Sequence, residues 1–333
     1  MRLLIIALLI LLGSLFGIMH FAEGARLLAT LQAGIWYWIV IAVVAQVMVI
    51  VNRAGLYHAL YRFFEVPERF KRLFNLVLAT AFVGIIAPGG MFTGTAVIIH
   101  DAVRKGITFA RAIAINFVYF MFCYSAFSLV LVVGLAYLLR CGNLAVYNII
   151  AALLLLALVG GQVGLIILAL HRPEIPPRIA MCIARWLQPL VKRFFKKELS
   201  VKKAVAFAKG LVESVRLVVQ HPGGLSRAVV HALCVELFNI ITLWTIFQAF
   251  HYTLPLGKLI AGYSVGIIFV IISITPSGIG VVEPLMTAAF TSLGVPLETA
   301  ALGIFVYRGI SVWLPFLSGG IGIRFIRKGQ SGY

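Results

Sequence analysis

The sequence predicts an all-α polytopic membrane protein, and three observations lead to that prediction. Apolar residues make up 62% of the 333 residues, charged residues only 11%, and the mean hydropathy is +1.07. Soluble domains have about half apolar and roughly a quarter charged residues. Several apolar runs are long enough to cross a bilayer, and two more are interrupted by proline and glycine. The predicted architecture is an inverted repeat with about six full spans and two opposed re-entrant helical hairpins.

Six uninterrupted apolar runs are predicted to be the full spans. They lie at 3–19, 35–51, 112–139, 145–170, 229–250 and 299–323. The first run could instead be a signal peptide. We favour an uncleaved helix because no clear small-x-small cleavage site follows it and the topology needs it as a span.

Basic residues predict which side of the membrane each connection faces. They are concentrated in three loops and the tail, at 52–72, 100–111, 171–228 and 324–328. The positive-inside rule therefore predicts that these segments and both termini are cytoplasmic, in a multi-pass protein of the inner (cytoplasmic) membrane. The net charge of +18 is explained by anionic headgroups, so no nucleic-acid partner is expected.

The two interrupted apolar regions are predicted to be the hairpins. Region 73–99 must enter and leave on the cytoplasmic side, since both flanking loops are assigned there, and it turns at 88–90. Region 259–293, broken between Pro276 and Pro284, must then enter from outside. Free backbone groups at membrane depth are tolerated only when they are buried in protein or line a wet cavity.

A constant difference in residue number, the difference between Ile86 and Ile274, aligns the two hairpins without a gap. We call this difference the repeat offset. Eight residues are identical, with Ile86, Pro88, Gly90, Gly106, Ala112, Phe117, Val118 and Tyr119 falling on Ile274, Pro276, Gly278, Gly294, Ala300, Phe305, Val306 and Tyr307. The Pro-x-Gly breaks and the Phe-Val-Tyr triplets coincide, which predicts an internal repeat with halves 1–140 and 141–333 in a single membrane domain. Two hairpins of unrelated origin are the alternative.

The long basic loop, 171–228, contains an amphipathic stretch. Its apolar residues recur near helical spacing, at Ile179, Ile183, Trp186, Leu187, Leu190, Val191 and Phe194. Basic residues flank them, which predicts an interfacial helix on an anionic leaflet. For the part after Ser200, a solvated loop is an equally good interpretation.

Three ionisable residues lie within predicted spans or hairpins, namely Glu236, Glu283 and Arg308. Each is costly in lipid and indicates a partner or a cavity. Arg308 could pair with Glu283 or bind a lipid phosphate through its planar fork, and a purely structural ion pair is the alternative. Glu236 could relay protons or could hydrogen-bond across helices as structural glue.

The helix starts beside the two breaks complete the predicted headgroup site. They present free N–H groups and positive dipole ends, which suit a phosphate-bearing headgroup. The glycines would let a ligand approach the backbone, or they would serve only tight turning and helix packing. The predicted site residues are Glu283, Arg308, Pro276, Ser277, Gly278, Gly280, Pro88, Gly89, Gly90, Gly94 and Glu236.

No other chemistry is indicated. The four cysteines have no CxxC spacing and the seven histidines no HExxH motif, so no metal site is predicted. Nothing resembles a nucleotide-binding loop or a nucleophile triad, and no cofactor is expected.

The motifs of the second half resemble a known family. They are Pro276-Ser277-Gly278-Ile279-Gly280-Val281-Val282-Glu283, Gly294-Val295-Pro296, Tyr307-Arg308 and Trp313-Leu314-Pro315. They look like the flippase-like membrane domain of lysylphosphatidylglycerol synthases and its stand-alone relatives, which are associated with aminoacyl-phospholipid, hopanoid and polyprenyl-glycolipid pathways. The resemblance covers essentially the whole chain and implies a helical fold that moves a lipid between leaflets.

The sequence departs from that family in two respects. The family's first-half motif usually has an acidic residue and an arginine soon after its glycines, whereas segment 91–95 has neither. The synthase domain is absent, so lysyl transfer is not expected.

The expected function is therefore that of a lipid transporter rather than an enzyme. Its substrate would be an anionic phospholipid, a polyprenyl-linked lipid or a hopanoid-type lipid, with membrane lipids and a lipid-synthesis enzyme as the expected partners. An integral-membrane lipid-modifying transferase and a non-catalytic scaffold for a lipid-synthesis enzyme are the alternatives.

Overall fold

The computed structural model describes residues 35–86, 90–140, 170–195, 201–273 and 275–320, with isolated positions between 153 and 168. These residues are almost entirely helical, and no strand occurs among them. In chain order the helices are α1 (Trp36–Phe63), α2 (Phe70–Ile86), α3 (Gly90–Arg104), α4 (Phe109–Arg140), α5 (Ile175–Phe195), α6 (Val201–Gln220), α7 (Ser226–Ala249), α8 (Leu256–Ile272), α9 (Val282–Ser292) and α10 (Leu297–Arg308). Short 3-10 turns lie at Pro222–Leu225 and Pro276–Gly278, and a π-turn at Gly309–Trp313 follows α10.

The all-α polytopic membrane fold is confirmed. Four helical stretches in the described part are long and apolar enough to cross a bilayer, namely Trp36–Phe63, Phe109–Arg140, Gly223–Ala249 and Leu297–Gly320. They cover four of the six predicted spans. The predicted span 3–19 lies outside the described residues, and so does 145–170 except for isolated positions.

Large apolar side chains cover the outside of the bundle. Trp36 is 75% exposed, and Leu129, Val132 and Leu237 are each more than half exposed. Exposed apolar surface on this scale is rare in soluble monomers. Lipid tails around the helices account for it.

Among the helices that the structure describes, α1 and α7 pack against each other most extensively, and they run antiparallel. Thr242 Oγ1 donates a hydrogen bond to Gln46 Oε1 at 3.4 Å, and His231 Nδ1 lies 2.9 Å from Asn52 Oδ1. These contacts hold polar side chains inside the apolar bundle, where leaving them unpaired would be costly.

The end of α1 corrects one prediction from the sequence. Segment 52–72 was predicted to be a cytoplasmic loop, but α1 continues to Phe63 and carries Arg53 and Arg62. Hydropathy marks where the apolar run ends, whereas the helix ends where its backbone hydrogen bonds stop. Arg53 therefore lies within the helix and is only partly exposed.

The first predicted hairpin consists of two short helices packed against each other. The helices α2 and α3 have 17 and 15 residues, or about 25 and 22 Å at 1.5 Å per residue. Both are shorter than the ~30 Å hydrocarbon core. The turn at 87–89 lies outside the described residues, and the re-entrant path through the membrane stays a prediction.

Gly94 makes the close packing of α2 and α3 possible. A methyl group added at Gly94 would lie 2.6 Å from the Thr80 backbone oxygen. We therefore expect Gly94→Ala to lower the free energy of unfolding by ~1–3 kcal/mol, because the two backbones would have to separate. The measurement is a denaturant titration followed by circular dichroism in detergent.

Gly160→Ala is the matched control for Gly94→Ala. Gly160 is also helical, and none of the described residues lies within 4 Å of the added methyl group. Alanine there should leave stability unchanged or raise it by up to ~1 kcal/mol through helix propensity. Equal effects at the two positions would contradict the packing role of Gly94.

The second predicted hairpin consists of α8, the 3-10 turn Pro276–Gly278 and α9, with α8 and α9 in contact. Gly262 and Gly266 of α8 face Phe290 and Met286 of α9. The small residues of α8 therefore allow two large side chains of α9 to pack against its backbone. Entry of this hairpin from the outside stays a prediction.

Helix boundaries recur at the repeat offset. The last residues of α3 and α9 are separated by this offset, and so are the first residues of α4 and α10. Gly106 and Gly294, which follow α3 and α9, both have positive φ, at 86° and 85°. An internal repeat would produce this correspondence, while its inverted arrangement across the membrane stays a prediction.

The basic segment 171–228 is two packed helices rather than a loop. The helix α5 exposes Ile179, Ile183 and Trp186, as its amphipathic pattern predicts. The interpretation of the part after Ser200 as a solvated loop is wrong, because α6 buries Val212 and Val215 against α4. Lysines and other charged residues lie between the apolar positions of α6, so the average composition of the segment does not reveal its buried face.

Candidate functional site

The segment between α8 and α9 has an unusual backbone. Ser277, Gly278 and Gly280 have φ angles of 54°, 71° and 82°. A positive φ costs little for glycine but is uncommon for other residues. Ser277 is therefore held in a strained conformation that its surroundings must stabilise.

Arg308, the last residue of α10, holds this segment in place. Its Nε donates a hydrogen bond to Glu283 Oε1 at 2.9 Å, and its Nη2 donates to the Ser277 carbonyl oxygen at 2.5 Å. The other carboxylate oxygen, Glu283 Oε2, accepts a hydrogen bond from the Gly280 N–H at 2.8 Å. The Arg308 and Glu283 side chains are 9% and 17% exposed, so the ion pair is largely buried.

Glu283 lies in the first turn of α9. A negative charge there interacts favourably with the helix dipole. Glu283 thus joins three parts of the site: the start of α9, the bend at Gly280 and the guanidinium of Arg308. The predicted pairing of Glu283 with Arg308 is present, and a role in headgroup binding stays a prediction.

A π-turn follows Arg308 directly, at Gly309–Trp313. Turns of this kind interrupt the regular hydrogen-bond ladder and are frequent at functional sites. The Ser311 hydroxyl inside it is buried, and no described residue accepts or donates a hydrogen bond to it. Buried polar atoms are nearly always paired, so this hydroxyl marks a place where a polar group could bind.

The two hairpins meet at this segment. The 3-10 turn Pro276–Gly278 contacts α2 and α3 of the first hairpin as well as α8 of its own. The two helix pairs are therefore in contact at this turn, and we call this contact the seam. The pair formed by Arg308 and Glu283 lies beside it.

Fewer of the predicted site residues in the first half of the chain belong to its described part. Pro88 and Gly89 lie outside the described residues, and Gly90 begins α3. Gly94 faces the backbone of Thr80 on α2, so the close approach that it permits is between helices. Of the eleven predicted site residues, the structure brings Ser277, Gly280, Glu283 and Arg308 together by hydrogen bonds, with Pro276 and Gly278 in the same turn.

Glu236 belongs to a different place in the bundle. It lies on α7, is 9% exposed, and its Oε2 accepts a hydrogen bond from Tyr263 Oη of α8 at 2.6 Å. This hydrogen bond between α7 and α8 is the arrangement expected if Glu236 links helices rather than relays protons. In the described part of the chain, no hydrogen bond joins Glu236 to Glu283 or Arg308.

Sequence reasoning missed two charged groups. Arg53 was counted as a loop residue, although it lies within electrostatic range of Glu236 and Tyr263. Asp101 is 7% exposed and accepts a hydrogen bond from Arg72 at 2.7 Å, which joins α3 to α2 at the open end of the first hairpin. The signal for Arg53 was the absence of a helix-breaking residue between it and the preceding apolar run.

Comparison with known proteins agrees with this architecture. Residues 1–319 match the family model described as the lysylphosphatidylglycerol synthase TM region. A stretch of 92 residues is 29% identical to UPF0104 membrane protein MJ1595 of Methanocaldococcus jannaschii, which covers 28% of this chain and 27% of that relative. The alignment thus spans about a quarter of the relative's length. Because the family model covers nearly the whole chain, this multi-pass membrane protein belongs to the lysylphosphatidylglycerol synthase TM region family, a membrane-lipid-related family.

Proposed function

We propose that this protein moves a lipid with a phosphate-bearing headgroup between the two leaflets of a membrane. The observation that carries the proposal is the buried pair of Arg308 and Glu283 at the seam of two broken-helix hairpins. In a helix bundle with only a structural role, irregular backbone and buried charge would not be expected at one place, because both are costly in lipid. Transporters use broken helices to bind charged substrates at the interface of their repeats.

Arg308 supplies the positive charge for an anionic headgroup. Its planar guanidinium suits two-point binding of a phosphate. Glu283 balances this charge while the site is empty, and the N–H groups at the start of α9 add positive potential. The headgroup is held at the seam while its acyl or polyprenyl tails remain in the surrounding lipid.

The two hairpins supply the alternating access. The helices α2, α3, α8 and α9 are short, and the irregular turn Pro276–Gly278 lies between α8 and α9. Movement of one hairpin relative to the other would expose the seam first to one leaflet and then to the other. The substrate classes considered are an anionic phospholipid, a polyprenyl-linked lipid and a hopanoid-type lipid.

A liposome assay tests this function. The purified chain is reconstituted with a trace of fluorescent phosphatidylglycerol, and dithionite then quenches the fluorophores of the outer leaflet. We expect quenching beyond the outer-leaflet fraction in vesicles that contain the protein, and only outer-leaflet quenching in protein-free vesicles. The proposal fails if neither phosphatidylglycerol nor a fluorescent polyprenyl phosphate is quenched further than in protein-free vesicles.

The class of protein, its partners and its location in the cell are part of the same proposal. The protein acts as a transporter rather than as an enzyme, with membrane lipids as its partners and both termini in the cytoplasm of an inner-membrane protein.

A second candidate function is a scaffold for a lipid-synthesis enzyme, which the exposed apolar face of α5 favours. Trp186 on that face is 74% exposed. Replacing Ile179, Ile183 and Trp186 by serine should abolish recovery of such an enzyme with the protein if α5 is its dock. Recovery should be unchanged if α5 only rests on the membrane surface.

A further inference from the structure

A cavity of about 450 Å³ lies between α5 and α6, and none of its described lining belongs to the helices that meet at the seam. Its volume falls in the range of small-molecule sites. Five charged side chains line it, together with two prolines and a valine, and they are Glu174, Arg178, Lys209, Glu213 and Arg216. The cavity therefore brings charged side chains from the start of α5 and from α6 to one place.

The cavity lies beside the ends of two predicted spans. Arg216 Nη2 donates a hydrogen bond to the Leu170 carbonyl oxygen at 3.1 Å, and Leu170 is the last residue of the predicted span 145–170. Gly210 of α6 packs against Ala110 at the start of α4. We therefore expect the cavity to lie at the depth of the lipid headgroups on the predicted cytoplasmic side, where basic pockets bind headgroups.

Both signs of charge line the cavity. Arginine and lysine bind phosphate oxygens, and carboxylates accept hydrogen bonds from an ammonium group. None of the ion pairs among the described residues includes Glu174, Arg178, Lys209 or Glu213. These four residues are exposed, so a ligand can reach them. The cations suit a phosphate, whereas the two carboxylates would repel a ligand with negative charge alone.

The start of α5 leaves recognition to these side chains. A helix N-terminus normally offers backbone N–H groups to an anion. Pro176 and Pro177 lie in the first turn of α5, and proline has no backbone N–H. Substitutions that remove side-chain charge therefore test the site directly, because the backbone can supply little of the binding.

We propose that this cavity binds a group that carries both a phosphate and an ammonium, which is the chemistry of a zwitterionic phospholipid headgroup. Arg178 and Lys209 bind the phosphate from two different helices, and Glu174 and Glu213 accept hydrogen bonds from the ammonium. A bound headgroup joins the start of α5 to α6 at the membrane surface. The proposal goes beyond lipid transport, because this lipid is held at the headgroup level and does not pass through the seam.

Calorimetric titration of the purified full chain in a maltoside detergent tests the site, because this detergent carries neither phosphate nor amine. The probes are short-chain phosphatidylethanolamine, glycerophosphoethanolamine and short-chain phosphatidylglycerol. The first two carry both charges, whereas phosphatidylglycerol carries the phosphate alone. We expect the wild type to bind the short-chain phosphatidylethanolamine through the cavity. Any binding of phosphatidylglycerol is expected at the seam and should not depend on the cavity.

The double variant Arg178→Gln/Lys209→Gln tests the phosphate half of the site. It should weaken binding of phosphatidylethanolamine by roughly fivefold to tenfold, the loss expected for two exposed charge pairs. Binding of phosphatidylglycerol should match the wild type. The matched control is Arg185→Gln/Lys202→Gln, which removes an exposed arginine of α5 and an exposed lysine of α6 that do not line the cavity. This control should bind both lipids as the wild type does.

Glu213→Gln tests the ammonium half of the site. It should weaken binding of phosphatidylethanolamine by roughly threefold, because one exposed carboxylate is lost while Glu174 remains. Glu65→Gln neutralises an exposed carboxylate outside the cavity and should leave this affinity unchanged. Thermal unfolding of each variant shows whether it is folded.

A folded Arg178→Gln/Lys209→Gln with unchanged affinity for phosphatidylethanolamine would overturn the proposal, and so would an equal loss of affinity for phosphatidylglycerol. If this variant does not fold, Glu213→Gln decides, and unchanged affinity there overturns the proposal. The same dependence for glycerophosphoethanolamine supports recognition of the headgroup alone, and dependence for the lipid only supports a site that also needs the tails. A protein that fails the dithionite assay but binds phosphatidylethanolamine through the cavity contradicts only the proposed transport function.

Discussion

Arg308→Ala is expected to abolish lipid transport and to lower the free energy of unfolding by ~3–5 kcal/mol. The side chain holds Glu283 and the Ser277 carbonyl together, and removing it leaves a largely buried carboxylate without its cation. Dithionite accessibility of fluorescent phosphatidylglycerol measures transport, and a denaturant titration in detergent measures stability. The exposed Arg227 provides the matched control, and Arg227→Ala should match the wild type in both.

A double variant separates a structural ion pair from a transport site. Glu283→Gln/Arg308→Gln removes both charges, so it should recover part of the stability lost in Arg308→Ala. It should not recover transport, because the cation for the headgroup is gone. Normal transport by a folded double variant would show that the pair is structural and would remove Arg308 from the mechanism.

Much of the candidate site could be predicted from the sequence because it depends on residue types that are rarely compatible with a regular helix in lipid. Pro276 and Gly278 cannot continue a regular helix, and Glu283 and Arg308 are too costly in lipid to lie there without a partner. These local rules located the break and its charges. The repeat offset paired the two hairpins in sequence, and the helix ends and the positive φ of the glycines after α3 and α9 recur at the same offset.

The features that could not be predicted depend on packing between helices, which no local sequence pattern encodes. The boundary of α1 was placed too early because hydropathy falls at Arg53 while the helix continues to Phe63. The hydrogen bond between Tyr263 and Glu236 joins residues 27 positions apart on different helices, and only tertiary structure brings them together. The helix α6 looked like a solvated loop because charged residues lie between its apolar positions, yet α4 provides a surface that buries Val212 and Val215.

Gly278→Ala is expected to lower the free energy of unfolding by ~2–5 kcal/mol and to reduce transport strongly. Two costs add at this position. Its φ of 71° is unfavourable for alanine, and the added methyl group would collide with the side chain of Val282. The bend lies between the Ser277 carbonyl and the Gly280 N–H, which are the two backbone groups that fix Arg308 and Glu283. Stability and dithionite accessibility are measured as for Arg308→Ala.

Gly280→Ala separates the two costs. Gly280 has a φ of 82°, but no atom of the described part of the chain lies within 4 Å of an added methyl group, so only the backbone cost of ~1–2 kcal/mol is expected. The difference between the two alanine variants is then the cost of the collision with Val282. Adding Val282→Ala to Gly278→Ala should recover that difference, measured as the coupling in a double-mutant cycle. Transport should recover with it, since the carbonyl and the N–H on either side of the bend would return to Arg308 and Glu283. Restored stability without restored transport would mean that the bend itself, rather than the charges that it positions, is what the lipid requires.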